Sequence, residues 1–143
     1  MPAAEKSSPS KLSIVVFSGD FDKVHYALVM ASAAVASNTP VTLFFTMWAG
    51  RALERDHGWQ RMKCADGTAA KAMDDQFKAK NVADFETLLE ACVALDVTFM
   101  VCEMGLKALG MDADALRPDI PIEKGGVVTF LADASKDGAM LFI

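Results

Sequence analysis

Leu12 to Ser18 (LSIVVFS) is an unbroken apolar run rich in β-branched residues, the pattern of a strand covered on both faces, and it stops at Ser18-Gly19-Asp20. From Phe21 the period changes. Val24, Leu28, Ala31 and Val35 recur every three or four residues, Asp20 stands at an N-cap position, and Asn38-Thr39-Pro40 ends the run, so a helix follows the strand. Val41 to Met47 (VTLFFTM) reads as a second buried strand, with Trp48 to Asp56 as a short amphipathic helix directly after it. Strand, helix and strand in this order make a βαβ unit, for which a right-handed crossover is expected. Gly58 to Asn81 carries no strong period and is expected to be an irregular flap or interface segment.

Order returns at Asp84 to Asp96, where Phe85, Leu88, Leu89, Cys92 and Leu95 share one helical face. Val97 to Val101 (VTFMV) is a third buried strand, Cys102 stands at its carboxyl end, and Glu103 to Leu109 reads as a helix closed by Gly110. Pro118 and Pro121 restrict Pro118 to Lys124 to a short, irregular fourth strand. Val127, Val128, Leu131 and Ala134 are spaced for a helix over Val127 to Ser135, and Ala139 to Ile143 (AMLFI) closes the chain as a buried strand. The predicted fold class is α/β: a three-layer α/β/α sandwich around a mainly parallel five-stranded sheet. It forms one domain over residues 12–143, preceded by a flexible leader, 1–11.

Composition narrows the function classes. Hydrophobic residues make up 52% of the 143 residues, yet the longest uncharged apolar stretch, Tyr26 to Ser37, falls short of the roughly 18 to 20 residues that span a bilayer. The leader, MPAAEKSSPSK, has no apolar core of a signal peptide, so a cytoplasmic location is expected. A formal charge of -5 without a Lys/Arg cluster argues against nucleic acid or an anionic membrane as partner. The three cysteines, Cys64, Cys92 and Cys102, form no CxxC pair and no ligand spacing with His25 or His57, so neither a disulfide framework nor a metal centre is expected. Neither G-x-G-x-x-G nor GK[ST] is present, so no nucleotide site and no cofactor are expected.

Sites in open α/β sheets form beyond the carboxyl ends of the strands. Four segments answer to that place: Ser18-Gly19-Asp20, Met47-Trp48-Ala49-Gly50, Cys102-Glu103-Met104-Gly105 and Glu123-Lys124-Gly125-Gly126. Only the third contains a nucleophile. Unpaired amides and the positive end of a helix dipole favour an anion at the position of Cys102, whereas Glu103 opposes it and no histidine adjoins as base. The alternative for Cys102 is a small buried hydrophobe. Cys92 belongs to the core face of its helix, Cys64 is expected to be partly exposed, and His25 is either an acid/base or a hydrogen-bonded structural residue.

The segments LSIVVFSGDFDKV, VTLFFTMWA, VCEMGLKALGM and GGVVTFLADASKDGAMLFI resemble the DsrE/DsrF-like sulfur-relay family, in particular its peroxiredoxin-like branch. The turn around Cys102, with Met104 and Gly110-Met111, is the most specific of them. The resemblance implies an oligomer, homomeric or mixed, in which Cys102 is the catalytic residue and holds sulfane sulfur as a persulfide. It also implies TusA-like or rhodanese-like proteins as sulfur donors and acceptors. Ser18, Gly19, Trp48, Glu103, Met104 and Gly105 are the expected substrate-binding residues, the amides of Met104 and Gly105 facing the persulfide, while Trp48 and the loop after Gly58 shield it. A non-catalytic binding or assembly module of the same fold is the alternative. Thiol peroxidase activity ranks below both, since no resolving cysteine or base adjoins Cys102.

Overall fold

A computed structural model describes residues 8–143. Five parallel strands, β1 (Leu12–Val16), β2 (Val41–Phe45), β3 (Thr98–Cys102), β4 (Ile122–Gly125) and β5 (Ala139–Phe142), form one sheet in the order β4-β3-β2-β1-β5. The helices are α1 (Phe21–Ala36), α2 (Ala70–Ala79), α3 (Phe85–Ala94), α4 (Glu103–Ala108) and α5 (Val127–Asp133). Among the described residues no helix is long and apolar enough to cross a membrane.

The strand alternation sorts the side chains onto two unequal faces. Leu12, Ile14, Val16, Leu43, Phe45, Phe99 and Val101 face the main core, which they share with Val24, Leu28 and Ala31 of α1 and Phe85, Leu88, Leu89 and Cys92 of α3. The opposite face holds Val15, Phe44, Met100 and Cys102, against which Phe130 of α5 packs. One face is thus covered by α1, α2 and α3, the other by a single seven-residue helix.

Four expectations change. The closing strand is not buried: β5 is the edge strand beyond β1, and Met140 and Phe142 stand 48% and 69% exposed. Residues 58–81 are irregular only in part: a 3₁₀ turn, Gly58–Arg61, and α2 flank the stretch 62–69, and Trp59 is buried in a stack on Phe21 and Phe85 with ring centroids at 5.3 and 5.0 Å. The helix expected from Trp48 is a 3₁₀ helix, Met47–Leu53, whose buried residues Ala49/Ala52 and Gly50/Leu53 repeat every three, the period of that helix. Of the expected leader, Met1 to Ser7 lie outside the described residues, while its end is tied down: Ser10 N–H donates to the Asp137 carbonyl and Lys11 Nζ to Asp133.

Candidate functional site

Because all five strands run the same way, the turns that leave β1, β2, β3 and β4 emerge along one edge of the sheet. Ser18 and Gly19 form the first. Ser18 Oγ accepts the N–H of Asp20 at 3.0 Å, and a Cβ on Gly19 would come within 2.9 Å of the Trp48 Cβ, so the glycine makes room for the indole. Trp48 is half exposed and meets Phe17 edge-on at 5.4 Å, and Phe17 in turn meets Phe142 at 5.3 Å. The structure therefore brings Ser18, Gly19 and Trp48 together at the exits of β1 and β2.

Cys102 occupies the exit of β3. It is the last residue of the strand and the N-cap of α4, with extended backbone and no side-chain cap hydrogen bond. Its side chain is turned instead onto the lightly covered face, where it packs with Phe44, Met100 and Phe130 and is only 1% exposed. Its backbone neighbour in β4 is Gly125, the residue before the Gly126 N-cap of α5. The thiol thus lies under α5, at the place expected along the chain and deeper than a residue awaiting a visiting molecule.

Its neighbours divide in role. Glu103 and Met104 are exposed on the rim. Gly105 is buried, and a Cβ there would approach the Met47 backbone nitrogen to 2.6 Å and the Thr46 Oγ to 3.1 Å, so this glycine lets α4 close on the turn leaving β2. Met47 takes a left-handed backbone, φ 50°, in that turn. Beyond α4 a cleft of about 270 Å³ is lined by Glu103, Leu106, Lys107, Met111, Asp112, Ala113 and Lys124, and its lining does not include Cys102.

The other two cysteines belong to the main core, on the opposite face of the sheet from Cys102. Cys64 is buried rather than partly exposed; burial, then Asp22 and Asp66, push its thiol above the usual value. Burial alone pushes Cys92 up to about 12. The loop after Gly58 also packs on the main-core side, so it does not shield Cys102. His25 is structural: buried beside Phe77, it donates through Nε2 to the Ala83 carbonyl at 2.8 Å.

Three polar clusters escaped the sequence reading. Arg117, nine-tenths buried, makes a forked pair with Glu86 (2.8 and 2.7 Å) and a second with Asp119 (2.7 Å twice), while Trp59 Nε1 donates to Glu86 Oε2 at 2.9 Å. Burial is the largest single influence and works against ionisation of Glu86, but the hydrogen bonds and charge of Arg117, with the Trp59 indole and the nearby His57, together outweigh it and hold the carboxyl below its usual range. Asp74, buried on α2, accepts the first N–H of α3, from Phe85, at 2.8 Å. Asp133, at the end of α5, accepts from the buried Thr42 hydroxyl at 2.7 Å and from Lys11. The partners lie 31, 11 and 91 residues apart, and no local pattern announces such pairs.

Comparison with known proteins agrees with this architecture. YrkE of Bacillus subtilis (strain 168), an uncharacterized protein, is 29% identical over 157 aligned positions, covering 93% of this chain and 96% of YrkE. The crystal structure of the ychN protein from E. coli superposes with a TM-score of 0.62 at 20% identity, covering 94% of this chain and 99% of that one. MTH1491 from Methanobacterium thermoautotrophicum, a protein of unknown function, gives the same TM-score at 14% identity, over 93% of this chain and 98% of its own. At such identities the two structures speak for the fold. The sequence pattern of the DsrE/DsrF/DrsH-like family matches residues 8–65 and 54–142, and the chain belongs to that family.

Proposed function

We propose that this protein is a sulfur carrier that holds sulfane sulfur as a persulfide on Cys102 and passes it between protein thiols. The observation that carries the reading is the place of Cys102: the terminal residue of β3, at the strand-exit edge, in a chain of a family whose membership suggests a sulfur-relay kind of function. The Cys102 thiolate attacks the outer sulfur of a donor persulfide R–S–SH. The new S–S bond forms as the old one breaks, and the donor leaves as a thiolate. An acceptor thiolate then attacks the sulfur held on Cys102, which leaves as thiolate again. No net oxidation occurs. The chemistry needs a persulfide donor and a thiol acceptor; the family resemblance points to TusA-like or rhodanese-like proteins in those roles and to a homo-oligomer as the working form. Ser18, Gly19, Trp48, Glu103 and Met104 border the exit through which they would approach.

The burial of Cys102 sets a condition: transfer requires that the thiol be uncovered, because nucleophile and sulfur must meet at bonding distance. The same burial favours a second reading, an assembly module without chemistry. In that reading the exposed Val128, Leu131, Met140 and Phe142 form a docking face and Cys102 is core filler.

One experiment separates them. The protein is incubated with a persulfidated donor or polysulfide and weighed intact. The carrier reading expects additions of about 32 Da in the wild type and none in Cys102→Ser. Absence of any adduct on the wild type selects the assembly module, and an adduct retained in Cys102→Ser moves the chemistry to another thiol.

A further inference from the structure

We infer that α5 is a latched cover over Cys102, with Phe130 as its plug and Asp133 as its latch; the functional side of this inference rests on the carrier reading above. The helix is poorly anchored for an element that seals a sheet face. Of its seven residues only Phe130 is buried, while Val127, Val128 and Leu131 turn apolar side chains to solvent. Among the described residues two side chains anchor it, and Lys11 Nζ also donates to the Asp133 backbone carbonyl at 3.1 Å. Phe130 stacks on Phe44, centroids 4.7 Å apart and rings 15° from parallel, and closes the socket that contains Met100 and Cys102. At the other end of the helix the Asp133 carboxylate binds Lys11 Nζ at 2.5 Å and the buried Thr42 hydroxyl at 2.7 Å.

The connections permit movement. Gly125-Gly126 leads into the helix directly beside Cys102, and a Cβ on Gly126 would meet nothing within 4 Å. On the far side Ala134 is already extended, and the Gly138 N–H closes a turn on the Ser135 carbonyl. Lifting α5 removes one aromatic ring from its socket and parts the Asp133 carboxylate and carbonyl from Lys11 and Thr42. The main core, on the other face of the sheet, is untouched. The cover therefore opens at a cost far below that of global unfolding, and the latch sets how often.

The test reads thiol exposure without reference to sulfur. Native protein is treated with iodoacetamide and the three cysteines are followed separately by peptide mass spectrometry, with Cys92, deep in the main core, reporting global unfolding. When closing is fast, the Cys102 rate follows the open population. Loss of the charge-assisted bond in Asp133→Asn or Lys11→Met is expected to raise that rate about tenfold, with Cys92 unchanged. Phe130→Ala is expected to raise it further; the two latch variants stand on their own if the plug variant fails to fold. Unchanged Cys102 rates in both latch variants, or Cys92 rising in parallel with Cys102, overturn the cover. So does a wild-type Cys102 that reacts as fast as free cysteine. Sulfur loading of the same variants keeps the two ideas apart. If alkylation follows the latch and no variant accepts sulfur, the cover stands and the carrier reading falls. If wild-type Cys102 accepts sulfur and alkylation ignores the latch, the reverse holds.

Discussion

Removing the Glu86 carboxylate strands a guanidinium. Arg117 is only 9% exposed and divides its donors between Glu86 and Asp119, the latter with a largely exposed side chain. In Glu86→Ala the guanidinium keeps one carboxylate of two, and the Trp59 indole N–H, which donates to Glu86, is left facing the gap. A buried pair broken from one side costs about 3–5 kcal/mol, and the Asp119 fork together with the 28% exposure of the Glu86 side chain brings the expected loss down to about 2–3 kcal/mol. Arg117→Met is expected to cost less, about 1 kcal/mol, because Glu86 keeps the indole donor and reaches water, and Asp119 is solvated already. The order of the two substitutions is the sharp part of the prediction. Urea unfolding at constant slope measures both, and the thermal midpoint of Glu86→Ala is expected to drop by roughly 6–9 °C at about 3 °C per kcal/mol. The pH dependence has a definite sign. The folded-state values of Glu86 and Asp119 are depressed, so their contribution is complete above the ordinary carboxylate range and is lost as pH falls through the folded values. Glu86→Ala is therefore expected to lose its disadvantage towards the wild type in acid. A loss under about 0.5 kcal/mol at neutral pH, or Arg117→Met costing more than Glu86→Ala, would refute the account of a stranded charge.

Two further outcomes are expected from neighbouring features. Gly105→Ala drives a Cβ to 2.6 Å from the Met47 backbone nitrogen; about 1 kcal/mol of helix propensity is gained, about 1–3 kcal/mol is lost to overpacking, and a net destabilisation of up to roughly 2 kcal/mol is expected in urea unfolding. Gly50→Ala, which meets only Leu106 and Leu109 side-chain carbons at 3.7 Å, is the control and is expected to be close to neutral. Asp74 is raised by burial foremost and by Asp84, against the Phe85 N–H, Lys78 and His25, so its stabilising contribution is present below the ordinary Asp value and disappears as pH rises through the folded one. Asp74→Asn keeps an oxygen for the Phe85 N–H and is expected to gain on the wild type between pH 4 and pH 7 in urea midpoints; a difference that does not grow with pH contradicts the assignment.

What could be read from the sequence follows from how each signal is encoded. LSIVV, VTLFF and the run ending at Cys102 announce strands because burial on both faces demands continuous apolar residues, and α3 announces itself through Phe85, Leu88, Leu89 and Cys92 on one stripe. The helix α2 gave no such sign. Its buried residues are Ala70 and Asp74, and an aspartate that turns inward to cap another helix reads in sequence as a surface residue. The position of Cys102 along β3 was legible, since a strand end beside a helix start is a local pattern. Its depth was not, because the cover comes from α5, whose spacing predicts a helix without saying which strands it crosses. Trp59 illustrates the same limit: an indole in a polar stretch looks free until Glu86 and Phe85 are placed beside it.

The order of the strands bears on how the chain is made. β5, the last strand of this sheet in chain order, pairs with β1, its first, and Ile143 extends the ladder by donating its N–H to Val15 and accepting from Phe17 and Ser18. Throughout translation of Phe17 to Gly138, on the order of ten seconds at ordinary translation speeds, one flank of β1 lacks its partner strand. Chaperone binding or self-association of nascent chains should therefore concentrate on Leu12–Val16, and end when Ala139–Phe142 slots in.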